Sequence, residues 1–153
     1  MGNDANHRQE DDAHGRSRIQ GPGGFMLTPV TGAVALQIPA DAAFVRVARL
    51  TATGFGAMHG LTVDDLDDLR LVVDELCGYF IDLGTASPIA LELGPRSDGP
   101  GIQIVARSSA PPEFRGPVDE LRRQVLEALS EDLTIELGDD ETELRASVVP
   151  SGQ

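Results

Sequence analysis

The side chains best placed for chemistry share one stretch, Leu61 to Asp82, LTVDDLDDLRLVVDELCGYFID. Helical spacing puts Asp68, Glu75, Tyr79 and Asp82 on one side of it, with the carboxylate of Glu75 and the phenol of Tyr79 a single turn apart. Taken alone, Glu75 reads as a helix-surface carboxylate, so its meaning turns on what stands beside it. Arg46 and Arg49, with Thr53, share one side of a preceding helical segment, where a pair of arginines serves equally as a solvated face or as a fork for carboxylates. His7 and His14 lie seven residues apart without a cysteine partner and read as solvated, so no metal site is expected. Cys77 sits beside Leu76 and Phe80 on an apolar stripe, which suits a core thiol better than a reactive one.

These groups need a rigid element to hold them. Thr62 and Asp65 form a capping box: the hydroxyl accepts from an early backbone N–H, and the carboxylate reaches back to the cap residue's own N–H. Leu66, Leu69, Val72, Val73, Leu76, Cys77 and Phe80 follow at three- and four-residue steps, the period of an amphipathic helix. Twenty residues give a rod of roughly 30 Å, long enough to cross a small domain.

The rest of the chain supplies a sheet and two more helices. Val34, Leu36 and Ile38 alternate as a strand that Pro39 ends. Ala40 to Met58 is helical, with Phe44, Val47, Ala48, Thr51 and Phe55 as its expected inward stripe, and Gly54, Gly56 and Gly60 are expected to fray its end. After the long helix, Ile89, Leu91 and Leu93 mark a strand, 94–101 a hairpin loop, and Ile102 to Ala106 a third strand. Ser108 to Pro117 is irregular, Val118, Leu121, Val125, Leu126 and Leu129 give a helix, and Leu133 to Leu137 and Leu144 to Val149 are strands about a tight turn at Gly138. The order β-α-α-β-β-α-β-β implies an α+β two-layer sandwich, a mixed and mostly antiparallel sheet covered on one face by helices. Residues 1–24 read as a disordered N-terminal tail, 33–149 as one domain and 150–153 as a short C-terminal tail.

Composition narrows the function. The net charge is −13, and all 12 basic residues are Arg, which argues against nucleic acid or an anionic membrane as the main partner. The single Cys excludes an internal disulfide and fits a reducing compartment. With no membrane-length apolar run and no signal-peptide pattern, a cytoplasmic location is expected.

The element order and the signature DDLRLVVDELCGYFI resemble the GHKL, or Bergerat-fold, ATPase superfamily. Within it the likeness is to the bacterial anti-sigma-factor and serine-protein-kinase (RsbW-like) branch, over roughly Val34 to Val149. In that family the long helix carries E-x-x-x-N, whose Glu activates the attacking hydroxyl and whose Asn ligates the Mg²⁺ of ATP. Glu75 matches the first position as a vestigial base, but Tyr79 stands where Asn belongs, and a phenol is a poor ligand for Mg²⁺. The family's D-x-G-x-G motif falls at Ala106 to Pro112, where Ser108 and Ser109 replace the nucleotide-binding residues; the glycine-rich phosphate lid is absent, and Thr142 alone answers to the family's late Thr. Losing the adenine contact alone removes roughly 1.5–3 kcal/mol.

The resemblance therefore implies a pseudokinase with no cofactor and no metal. It would be an anti-sigma factor that sequesters an alternative sigma factor, with an anti-anti-sigma factor as competing partner in a stress-response switch. Arg46 matches the family's sigma-contacting position, and Arg49 lies one turn away; the acidic residue expected one turn earlier is Ala42. Homodimerisation through the sheet is common in the family. The alternative is an active ATP-dependent Ser/Thr kinase acting on the anti-anti-sigma factor with Glu75 as base, and a third reading is a GHKL-like scaffold for an unrelated partner.

Overall fold

The long helix is the element from which the architecture is built. In the computed structural model, which describes residues 32–109 and 116–152, it runs Val63–Asp82 as α2. Both halves of the capping box are present, with Thr62 Oγ1 accepting from the Asp65 N–H and Asp65 accepting from Thr62 N at 2.8 Å. Leu69, Val72, Val73, Leu76, Cys77 and Phe80 are fully buried, as the periodicity requires.

The other elements are β1 Val34–Ile38, α1 Ala42–Met58, β2 Ile89–Pro95, β3 Ile102–Ser108, α3 Glu120–Leu129, β4 Glu131–Leu137 and β5 Thr142–Val148. The sheet order is β1-β2-β3-β5-β4, and all four pairings are antiparallel, so the sheet is not mixed. Ile89, Leu91 and Leu93 of β2, Ile102, Ile104 and Ala106 of β3, and Leu144, Ala146 and Val148 of β5 point to one face and join α2 in the core. The alternate residues of β2, β3 and β5 form the other face, where Arg107 pairs with Glu143 at 2.6 Å and with Glu92 and Glu141 at 3.6 Å. Helices therefore cover one side only. That is the expected two-layer α+β sandwich.

Two local expectations fail for reasons of packing. α1 turns Val45, Ala48, Ala52 and Phe55 inward, so Ala48 and Phe55 are buried as expected while Phe44 and Val47 are each 44% exposed and Thr51 is half-buried. Asp41 caps α1 by accepting from Ala43 N, which sets where the helix begins. The end of α1 does not fray at its glycines. Gly56 is buried where α1 crosses α2, and a Cβ there would come within 2.9 Å of Leu66 and Leu69. Leu61 N then donates to Gly56 O and Gly60 N to Ala57 O, with Gly60 at φ +80, which is a Schellman close. The strands also outrun their expected bounds, β3 to Ser108 and β4 from Glu131. In α3 only Leu126 is fully buried, and Leu121, expected inside, is 70% exposed. On β1, Val34 is 38% exposed because the strand lies at the sheet edge.

Candidate functional site

α2 presents two adjoining polar stripes, one towards α1 and one towards α3. The first faces α1. Arg46, Arg49, Leu50 and Thr53 of α1 and Asp67, Arg70, Leu71 and Asp74 of α2, each series at i, i+3, i+4, i+7, line an open groove of about 620 Å³. Arg49 donates to Asp74 at 3.1 Å, and Arg70 reaches Thr53 Oγ1 at 3.1 Å while pairing with Asp67. Arg46 is exposed and has no hydrogen-bond or ion-pair partner among the described residues. Between these charges Leu50 is 72% and Leu71 47% exposed. The groove thus offers apolar surface framed by guanidinium groups, one of them uncommitted. Helical spacing put Arg46 and Arg49 on one side and the family resemblance singled them out; Arg70 and Leu71 come in only because α2 packs beside α1.

The second stripe faces α3 and contains Glu75. Arg122, 47 residues away in the chain, donates through Nε to Glu75 at 2.9 Å and through Nη2 to Asp82 at 2.7 Å. The residue between these carboxylates is Gly78, and a Cβ there would sit 3.1 Å from Arg122 Nη2. Burial would lower the pKa of Arg122, but the bonds to Asp82 and Glu75 outweigh it and raise it.

Tyr79 is not on the outer face with Glu75. It is 2% exposed, set edge-on to Phe80 with ring centroids 5.2 Å apart, and its hydroxyl donates to Gly116 O at 2.8 Å. At four residues' separation it has rotated far enough from Glu75 to reach the core edge, and a phenol can enter there once its hydroxyl is satisfied. Cys77 is also core, and burial pushes its thiol up to about 12.

Ser108 ends β3 with its side chain fully buried and its hydroxyl donating to Pro88 O at 3.1 Å. Ser109 O accepts from Thr85 at 2.8 Å. Thr142 is the cross-strand neighbour of Ser108, and its buried Oγ1 has no hydrogen-bond partner among the described residues. Residues 110–115, which include the last three positions of the altered D-x-G-x-G stretch, and the N-terminal stretch with His7 and His14 lie outside the described residues. Among the described residues no three His, Cys, Asp or Glu side chains gather as a metal-binding group, and no helix is long and apolar enough to cross a membrane.

No family profile matches the chain. It is similar to two serine-protein kinases named RsbW, from Bacillus velezensis (39% identity over 44 residues, 29% of this chain and 28% of the relative) and Halalkalibacterium halodurans (37% over 49 residues, 32% and 30%). A crystal structure of the RsbU and RsbW domains of Rv1364c from Mycobacterium tuberculosis superposes with a TM-score of 0.60 over 76% of this chain and 32% of that one, at 16% identity. Over these segments the chain resembles RsbW kinases, and its fold is that of the RsbW-containing structure. The matched segments span under a third of each relative's length.

The nucleotide and Mg²⁺ implied by this fold do not fit the residues of the RsbW-like chain. At the base position, Glu75 is held by a guanidinium. At the metal-ligand position, Tyr79 is turned into the core. Within the stretch that resembles the adenine motif, Ser108 donates a hydrogen bond to the Pro88 carbonyl and offers no carboxylate. No catalytic step is derived through them.

Proposed function

We propose that this chain is a non-catalytic anti-sigma factor, which sequesters an alternative sigma factor by direct protein binding and so represses its transcription programme. The observation that carries the reading is the α1–α2 groove, in which unpaired Arg46 stands beside exposed Leu50 and Leu71. A guanidinium fork next to apolar surface suits a protein segment that brings carboxylates and aliphatic side chains together. Arg46 is the anchor of that contact, and Arg49 assists by exchanging Asp74 for a partner carboxylate. Net charge supports the same assignment, since a chain at −13 steers towards a protein with basic DNA-binding surfaces. Release by a competing anti-anti-sigma protein follows the partner-switch logic of the RsbW-like family.

Capture of the tagged chain from its native cells, with Arg46→Glu in parallel, tests the contact. A sigma factor should come down with wild type and be lost with the variant; its absence from wild type, or equal recovery with both, overturns the reading. A titration with Mg-ATP tests the non-catalytic half. Micromolar binding that Glu75→Ala abolishes would overturn the absence of nucleotide binding and leave the active-kinase alternative to a phosphorylation assay.

A further inference from the structure

The α3 flank of α2 carries an arrangement that the loss of nucleotide chemistry does not explain. α3 is only ten residues long and fully buries one of them, Leu126. A helix of that length is marginal by itself, and a segment with so few buried apolar contacts belongs to the weakly held part of a fold. Two polar ties nevertheless fasten it. Tyr79 holds the carbonyl of Gly116 in the segment leading into α3. Arg122 crosses Gly78 to bridge Glu75 and Asp82, and it stays within 3.5 Å of Asp119, the N-cap of its own helix. Its side chain is 14% exposed, unlike that of a free surface arginine. The planar fork is what permits one cation to serve carboxylates two turns apart, and the absent Cβ at Gly78 leaves room for it to lie against the helix.

We propose that Arg122 is a built-in cation lock. It holds α3 and residues 116–119 closed on the flank of α2 that bears the former base, without any small ligand. Glu75 then serves as an anchor for a guanidinium instead of a base. The proposal rests on the non-catalytic reading for its last clause only; the lock itself rests on geometry.

Amide hydrogen exchange on the full chain tests it, comparing wild type with Arg122→Met, which keeps the stem and removes the charge, and with Arg122→Lys, which keeps the charge and removes the fork. Arg122→Met should speed exchange across 120–129 by about tenfold or more while α1 and β3 stay as in wild type. Arg122→Lys should fall between the two. Protection of α3 should decline with added sodium chloride in wild type and not in Arg122→Met, a salt response that apolar packing alone would not give. Tyr79→Phe, which removes only the hydroxyl, provides a second variant with a smaller rise confined to 116–129.

Unchanged α3 exchange in Arg122→Met, or an equal rise in every element, overturns the lock. Millimolar Mg-ATP should leave α3 exchange in wild type unaltered; extra protection there overturns the ligand-independent clause. Saturable Mg-ATP binding with α3 exchange unaltered would sink the non-catalytic reading and leave the lock standing.

Discussion

Asp65 shows how much one side chain can be asked to hold. Its carboxylate accepts from Thr62 N and Oγ1 on one oxygen and from Ser151 N and Oγ on the other, so it caps α2 and also fastens the chain just beyond β5. The bonds from Ser151 and then Thr62 hold its pKa well below the usual carboxylate range. The unfolded chain therefore takes up this proton first, as pH falls past the ordinary Asp value of about 3.9. The stabilisation is complete above that pH and is lost progressively below it. Asp65→Asn should lower the melting temperature at pH 7, and the gap to wild type should narrow as the pH is taken below 4. A gap that stays constant down to the acid limit would show that ionised Asp65 is not what holds these ends together.

At the scale of elements, glycines two residues apart in α1 should respond with opposite sign. Gly54 is exposed and a Cβ there meets nothing within 4 Å, so Gly54→Ala should stabilise by up to about 1 kcal/mol through helix propensity. Gly56 lies against Leu66, Leu69 and Leu61, and Leu69 is fully buried with no space to retreat. Overpacking there costs about 1–3 kcal/mol, which outweighs the propensity gain. Urea midpoints of the two variants, one above and one below wild type, are the expected result. A stabilised Gly56→Ala would mean that the α1–α2 crossing is looser than these distances say. Along the chain the two glycines look alike. Their difference is created by the second helix.

For the molecule as a whole, the main feature is a proposed division of labour across α2: a groove towards α1 for binding and an ionic closure towards α3. The groove's leucines contribute modestly to the fold, since Leu50 is largely exposed and Leu71 about half so. Leu50→Glu together with Leu71→Glu should therefore shift stability by no more than about 0.5 kcal/mol per site. In the proposed anti-sigma function the same pair should abolish capture of the sigma factor, because it places carboxylates where the partner's apolar and acidic side chains dock. Retained capture with an intact fold would move the docking surface elsewhere.

The elements were legible because their signals are local. The capping box at Thr62 and Asp65, the stripe from Leu69 to Phe80 and the alternation of Ile89, Leu91 and Leu93 each depend on neighbours a few residues away, and each is where the pattern puts it. The β-α-α-β-β-α-β-β order then sufficed for a two-layer sandwich, and with the stretch DDLRLVVDELCGYFI it carried the family resemblance. Tertiary structure decided which way apolar and polar side chains turn once elements touch. Phe44 and Val47 look like core by residue type, yet the crossing with α2 at Gly56 leaves them at the surface. Tyr79 looks like part of the polar face, yet it becomes core because a carbonyl 37 residues away accepts its proton. Arg122 gives no sign in the sequence that it belongs with Glu75. Pairing across 47 residues has no period to betray it; only the packing of α3 on α2 brings the charges within reach.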